Sequence, residues 1–278
     1  MTPAFRQRGT VIIVAMLIAA LAAASAAFAL QRQDVSVRTL EAARDREQAR
    51  WIVRGGAQWA RTILAEDARS SVVDHARELW ASGLPSTEVE QGTLAGRITD
   101  QQGLFNLANL MRDGAPSEPD IAALRRLLQT IGLRTELAES IASSQPMSEL
   151  GELHRVRGCD DAVVARLRQF VTLLPRRTPV NVNTARPEVL AAVVDGLALA
   201  EAVVLANGVL ATPVRGHADL RTRLPRAELS VASDQVSFQS GFFLVEGRAT
   251  VGRGEARLQA LLSRDGSRLP VIVWQRLS

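Results

Sequence analysis

The chain has 278 residues, of which 47% are hydrophobic and 22% are charged, so it has room for a membrane helix and about two small domains. All 33 basic residues are arginine, and they give a net charge of only +4. Because nucleic acids are bound through concentrated positive charge, we expect no nucleic-acid partner. The single cysteine, Cys159, excludes an internal disulfide and is expected in the core.

The first thirty residues contain a basic leader with Arg6 and Arg8, followed by a 21-residue apolar run, 10–30. As a helix this run would span about 31 Å, close to the thickness of a bilayer. A secretory signal cut after Ala27-Phe28-Ala29, a plain signal anchor and a prepilin leader cut after Gly9 all compete as interpretations. The basic leader places the N-terminus in the cytoplasm and the bulk of the chain on the other side.

From Asp34 to about Ala68 the chain has no proline, and small or apolar residues recur at helical spacing. This pattern predicts that the membrane helix continues as an amphipathic rod, with Trp59 and Ala60 in its apolar stripe. Glycines inside a helix are unfavourable, so Gly55 and Gly56 predict close approach of another backbone to that face.

Strand-like segments lie on both sides of a helical block that runs from about Pro119 to Leu229. Before the block the pattern predicts a short helix at 74–80, a strand at 93–99, a turn at 100–103 and a second strand or an ordered extension at 104–110. After it, strands are expected at Val236–Phe238, Gly241–Val251, Glu255–Leu262 and Leu269–Trp274, with a turn at Asp265-Gly266. One sheet interrupted by a helical insertion accounts for this order.

Catalytic motifs are missing from the sequence, and its three histidines are scattered, so we expect no enzyme activity. His75 and Glu78 share a helical face, but two ligands without a second pair do not predict a metal site. We expect no cofactor. Scattered carboxylates and carbonyls leave a calcium site open, because such sites need no fixed motif.

The stretch from Val180 to Leu190, with a second helix that ends at Asn207, resembles a helix-hairpin-helix element. DNA-binding versions present glycine amides to a phosphate, whereas this chain has Ala198 at the second glycine position. Asp195 and Glu201 would repel a phosphate. A structural or protein-docking use is therefore favoured over nucleic-acid binding, and a membrane-anchored DNA-binding protein is the alternative function.

Five features, in their order along the chain, carry a wider resemblance. They are the leader that ends at Gly9, Trp51…Gly55-Gly56…Trp59-Ala60, Asp74-His75…Glu78…Trp80-Ala81, Asp100…Gly103-Leu104-Phe105-Asn106-Leu107, and Val171-Thr172-Leu173-Leu174-Pro175…Val180-Asn181-Val182-Asn183-Thr184-Ala185. Together they resemble the protein K family of the general secretion pathway, the minor pseudopilins of bacterial type II secretion systems.

The resemblance implies an α+β fold: a pilin-like long helix packed on an antiparallel sheet, with an inserted all-α domain. The expected segments are a leader at 1–9, a transmembrane helix at 10–30, its amphipathic continuation at 31–69, a pilin-like domain at 70–112 and 230–278, and the inserted domain at 113–229. The implied location is the bacterial inner membrane, single pass, with the bulk in the periplasm.

The family also implies cleavage by a prepilin peptidase between Gly9 and Thr10, and methylation of the new Thr10 amine. The implied partners are two other minor pseudopilins in a tip complex, the other pseudopilins and the inner-membrane assembly platform.

Val14 departs from the general pilin pattern. Most pilins carry glutamate at the fifth mature position, where its carboxylate neutralises the amine of a neighbouring subunit inside the apolar bundle. Counted from Thr10, the fifth residue here is Val14. A subunit without that carboxylate suits the end of a fibre, because an unpaired charge in the bundle would be very unfavourable.

Overall fold

A computed structural model describes residues 7–229, 231–264, 266 and 268–278, and for residues 7–10 and 29–36 it describes the backbone alone. Leader residues 1–6, and Asp265 of the expected turn, lie outside the described residues.

Seven helices and eleven strands make up the described chain. The helices are α1 Gln7–Ser70, α2 Glu118–Thr130, α3 Leu137–Ser143, α4 Asp161–Leu167, α5 Pro187–Val193, α6 Leu199–Ala211 and α7 His217–Arg223, with 3-10 turns at Leu79–Ser82, Leu107–Leu110 and Leu150–Arg155. The strands are β1 Leu84–Val89, β2 Gly92–Asp100, β3 Phe105–Asn106, β4 Met111–Arg112, β5 Ala115–Pro116, β6 Val171–Thr172, β7 Val180–Asn181, β8 Val236–Ser237, β9 Phe242–Val251, β10 Gly254–Ser263 and β11 Val271–Leu277.

The 64-residue helix α1 confirms the continuous rod. Within the described residues it contains one span, Val11–Phe28, that is long and apolar enough to cross a membrane. A 3-10 turn at Leu79–Ser82 stands near the place where the sequence predicts a short helix at 74–80, so that helix is wrong. One buried side chain at each end of this segment, Asp74 and Trp80, holds it against the body instead.

Five antiparallel strands form the main sheet in the order β1-β2-β9-β10-β11. The pairing of β2 with β9, which places Ile98 opposite Val245, joins strands from the two sides of the helical block. This confirms one sheet interrupted by an insertion. A hairpin between 93–99 and 104–110 is wrong, because Phe105 pairs with Val171 and is fully buried in the core of the helical block.

Helix α1 packs its small side chains on one face of the sheet. The buried residues of α1 recur every three or four positions and those of the strands every second position, as the two periodicities require. On α1 they are Ala49, Val53, Ala57, Ala60 and Leu64, and on β9 and β10 they are Phe243, Val245, Ala249, Val251, Ala256, Leu258, Ala260 and Leu262.

The close approach predicted for the glycine pair of α1 occurs at glycines of the sheet. A Cβ added to Gly254 would lie 2.5 Å from the carbonyl carbon of Asp45, and one on Gly247 would lie 2.8 Å from a Val53 methyl. Gly56 faces the side chain of Leu94, whereas Gly55 faces open space. The prediction placed the glycines of the close contact on the helix, whereas they lie on the strands. The sequence pattern of a helix does not show where the facing strand carries glycine.

The helical block has its own hydrophobic core. Leu124, Leu128, Ile141 and Leu190 are fully buried there, and Phe105 joins them from the segment that precedes the block. Two short parallel bridges, β3 with β6 and β7 with β8, tie this core to the chain on either side. The result is an α+β fold with a long helix, an antiparallel sheet and a helical insertion.

Candidate assembly surface and polar junction

The membrane-proximal half of α1 exposes all its side chains from Val11 to Phe28. Val14 is 54% exposed on this surface. Gly9 and Thr10 lie in the first turns of α1, where the backbone alone is described. A continuous apolar helix surface of this length is stable only when lipid or other helices cover it.

The second half of α1 also presents aromatic side chains outward. Trp51 is 67% exposed and Trp59 is 51% exposed, so the prediction that Trp59 joins Ala60 in the buried stripe is wrong. The Arg54 guanidinium lies 5.3 Å from the centre of the Trp51 ring, within the range of a cation–π contact. Beside Trp59, an apolar groove of about 220 Å³ opens between α1 and the first strands of the sheet, lined in part by Ile63 and Leu94.

Behind this surface, a buried group of polar side chains joins the sheet to the helical block; we call it the polar junction. Its members are Asp74, Asp100, Asn181, Thr184 and Ser240. The Asn181 amide nitrogen donates to the Asp74 carbonyl at 3.1 Å, to an Asp100 carboxylate oxygen at 2.9 Å and to the Ser240 hydroxyl at 2.9 Å. One fully buried amide therefore bridges three distant segments of the chain.

Asp100 is the acceptor at the centre of the junction. Its carboxylate accepts from the hydroxyls of Thr184 at 2.5 Å and Ser240 at 2.6 Å, from the Asn181 amide, and from the backbone nitrogen of Gln102 at 2.8 Å. Burial raises the pKa of Asp100 above its ordinary value, and these four hydrogen bonds oppose the rise. The sequence places Asp100 in a turn, and nothing local to it indicates burial.

Three further buried asparagines clamp the backbone of the helical block. Asn109 donates to the Thr178 carbonyl at 2.8 Å and accepts from the Thr178 nitrogen at 3.0 Å. Asn183 makes the same paired contact with Val214, at 2.9 and 2.8 Å, and Asn106 accepts from the Leu174 nitrogen at 3.1 Å. Two of these residues belong to the motifs that carry the family resemblance, and the structure gives those motifs a structural role.

Next to the junction, three carboxylates, those of Asp67, Asp74 and Glu78, place an oxygen each within 4.8 Å of one another. The Arg264 guanidinium supplies positive charge there: it donates to Asp67 at 2.9 Å and to both oxygens of Asp74. Burial raises the pKa of Asp67 to about 7, and the nearby carboxylates of Glu78 and Asp74 add to the rise. The hydrogen bond from Arg264 opposes it.

The histidine considered for a metal, His75, lies beside this cluster. Its Nε2 is 3.9 Å from a Glu78 carboxylate oxygen. The same carboxylate accepts from the His75 backbone nitrogen at 2.9 Å and from the Trp80 indole at 2.8 Å. Glu78 thus fastens its own segment, and the absence of a metal at this pair stays a prediction.

The helix-hairpin-helix element is present as α5, a turn and α6. Gly196 in the turn has φ +77°. The backbone nitrogen of Ala198, which would face a phosphate, donates to Glu201 at 2.9 Å, and Arg226 donates to the Gly196 carbonyl and to Glu201. The hairpin is closed by its own residues, and this geometry favours a structural use over phosphate binding.

Cys159 is 5% exposed and belongs to the core of the helical block, which confirms its assignment. Burial, with a smaller contribution from the neighbouring Asp160 carboxylate, raises the pKa of the thiol above its ordinary value. A thiol in this state is a poor nucleophile.

Comparisons with known proteins show which family this chain is similar to. A profile described as type II secretion system (T2SS), protein K, matches residues 180–239, the segment that contains Asn181 and the hairpin. The type II secretion system protein K of Pseudomonas aeruginosa is 29% identical over 68% of each chain. That of Pectobacterium carotovorum is 26% identical and covers 96% of this chain and 95% of its own. The chain is thus similar to the type II secretion system protein K family, both in this segment and along most of its length.

A solved structure shows the same fold. A chain in the crystal structure of the GspK-GspI-GspJ complex from the enterotoxigenic Escherichia coli type 2 secretion system superposes with a TM-score of 0.69 at 20% identity. The match covers 86% of this chain and 99% of the solved chain. The long helix, the sheet and the inserted helices are thus a fold that this chain shares with that solved chain.

Proposed function

We propose that this protein is a minor pseudopilin at the tip of the type II secretion pseudopilus, where it starts assembly and so contributes to export of folded proteins across the outer membrane. The observation that carries the proposal is the position of the helical insertion. The polar junction that attaches it contacts Arg264, which pairs with Asp67 near the C-terminal end of α1, whereas the membrane span ends at Phe28, 39 residues before Asp67. Along a helix, these 39 residues correspond to about 58 Å.

An insertion at that end would obstruct stacking of a further subunit above it. Val14 supports the same position, because a subunit without a carboxylate there has no charge to offer the amine of a neighbour. Both features would suit the one subunit that has no neighbour beyond it.

The same proposal includes membrane insertion, processing and partners. Residues 10–30 hold the chain in the inner membrane with its bulk in the periplasm, and a prepilin peptidase cuts between Gly9 and Thr10 before the Thr10 amine is methylated. The solved relative forms a complex with GspI and GspJ, which supports two other minor pseudopilins as partners here. The other proposed partners are the shaft pseudopilins and the inner-membrane assembly platform.

Replacement of Val14 by glutamate tests the tip position. A carboxylate at this site should pair with the amine of a neighbour and either admit the subunit to the shaft or disturb assembly, seen by immunogold labelling of sheared pseudopili and by assay of a secreted substrate. Val14→Gln is the matched control, since it is polar and uncharged. Unchanged labelling and secretion in Val14→Glu would remove the charge argument.

The mature N-terminus is tested by mass spectrometry of the chain purified from membranes. We expect a methylated Thr10 as the first residue. A chain that begins at Leu30 would contradict both the anchor and the pseudopilin proposal.

A further inference from the structure

The end of α1 is fastened to the body through more negative charge than the nearby cation balances. The side chains of Asp67, Asp74 and Glu78 are 12%, 3% and 9% exposed, and that of Arg264 is 10% exposed. Three carboxylates therefore share one guanidinium in a largely dry site. Charges that are buried without compensation are unfavourable, and such a site is stabilised by uptake of a proton.

Arg264 links three segments at this point. Besides Asp67 on α1 and Asp74 on the following segment, its guanidinium donates to the Ser240 carbonyl at 2.8 Å and to the Leu64 carbonyl at 3.4 Å. The Ser240 nitrogen in turn donates to the Asp74 carboxylate at 2.6 Å. Loss of these contacts would release segment 71–78 from α1 and from the polar junction together.

We propose that Asp67, Asp74, Glu78 and Arg264 form a pH-sensitive clasp, which closes segment 71–78 onto the end of α1 when the carboxylates hold a proton and loosens when that proton is lost. The clasp lies beside the polar junction through which the helical insertion is attached. Segment 71–78 also reaches the insertion directly, because the Arg77 guanidinium donates to the Ala211 carbonyl at 2.7 Å.

Other titratable and charged groups lie around the clasp. The Nε2 of His75 is 3.9 Å from a Glu78 carboxylate oxygen. Asp100, behind Ser240, adds another carboxylate to the junction. Glu66 and Arg69 pair with each other on the exposed side of α1, with side chains 69% and 67% exposed.

The sign of the pH effect follows from proton binding. The raised pKa of Asp67, about 7, means that the closed state binds a proton more tightly than the open state between about pH 4 and pH 7. The stabilisation is complete below the ordinary pKa of aspartate and is lost as pH rises through 7. We expect the opening equilibrium of segment 71–78 to rise about thirtyfold between pH 5.5 and pH 8.5.

Hydrogen exchange of the full-length chain in detergent micelles, with a chelator present, tests this inference. The amides of Asp74, His75 and Ser240 report on the clasp, because they donate to the Phe238 carbonyl, to Glu78 and to Asp74. After correction for the intrinsic pH dependence of exchange, their protection should fall between pH 5.5 and pH 8.5. A peptide from the centre of β9 serves as the reference and should keep its protection.

Asp67→Asn, which stays neutral at both pH values, should remove most of the fall, while the matched control Glu66→Gln should keep it. His75→Gln separates the contribution of the imidazole. Equal protection of wild-type segment 71–78 at both pH values would overturn the clasp, and this comparison needs no variant to fold. A fall that persists in Asp67→Asn and vanishes in His75→Gln would overturn it as well.

Discussion

The two halves of α1 are both rich in apolar residues, yet they meet different surroundings. From Val11 to Phe28 the side chains are exposed, whereas from Ala49 to Leu64 the small ones are buried against the sheet. The first half has a continuous apolar surface and needs a covering outside the chain. The second half has an apolar stripe that the sheet covers, while Trp51 and Trp59 point outward. The apolar content of a helix segment therefore does not show which of its residues stabilise the folded body.

The largest difference should appear when one leucine in each half is truncated. Leu64→Ala removes a fully buried side chain from the contact of α1 with the sheet and should lower the free energy of unfolding by about 3 kcal/mol. Leu21→Ala, at a residue 70% exposed, should leave it unchanged. Denaturant titration of the full-length chain in detergent, followed by near-UV circular dichroism, measures both. Equal losses of unfolding free energy in the two variants would show that both halves of α1 pack against the body to the same extent.

The glycines should show the same contrast with a smaller effect. Gly254→Ala would force a Cβ against the backbone of α1 at Asp45 and Arg46, and should cost about 2 kcal/mol. Gly55→Ala places its Cβ in open space within a helix and should be neutral or stabilising by up to about 1 kcal/mol. Thermal unfolding measures the stability change in both variants. A destabilised Gly55→Ala would show that the face of α1 at Gly55 packs against another part of the chain.

The smallest contrast is expected between an outward and a buried tryptophan. Trp59→Ala should change the free energy of unfolding by less than about 1 kcal/mol, because half of the side chain is exposed. Trp80→Ala is the matched comparison: its ring is buried 5.2 Å from the centre of the Phe243 ring and donates to Glu78, so its loss should cost about 3 kcal/mol. Similar losses in the two variants would contradict an outward role for Trp59.

Much of the fold could be predicted from the sequence, because it depends on local periodicity. The long helix, the four late strands and the burial of Cys159 are all confirmed. The orientation of Trp59 and the partner of Phe105 are wrong, since each depends on which surface another segment presents. The processing site at Gly9 and Thr10 and the role of Val14 stay predictions.

The polar junction was missed although four of its five members lie in motifs that carry the resemblance, because nothing local to these residues indicates that they are buried or in contact. The sequence predicts a turn at Asp100, and Ser240 lies between two predicted strands. Each becomes significant only through hydrogen bonds to residues far along the chain, such as the one that Asn181 donates to Asp100. Only the tertiary fold brings four hydrogen-bond donors to the buried carboxylate of Asp100.

The sequence by itself determined that this protein begins with a helix able to span a bilayer, continues as an amphipathic rod and carries one sheet divided by helices. These properties follow from the hydrophobicity and spacing of neighbouring residues. The tertiary structure decided which apolar side chains the body covers and which stay exposed. It also brought Asp67, Asp74, Glu78 and Arg264 into one site. Electrostatic interactions act through space, so residues almost 200 positions apart, such as Asp67 and Arg264, can form an ion pair that the order of the chain does not reveal.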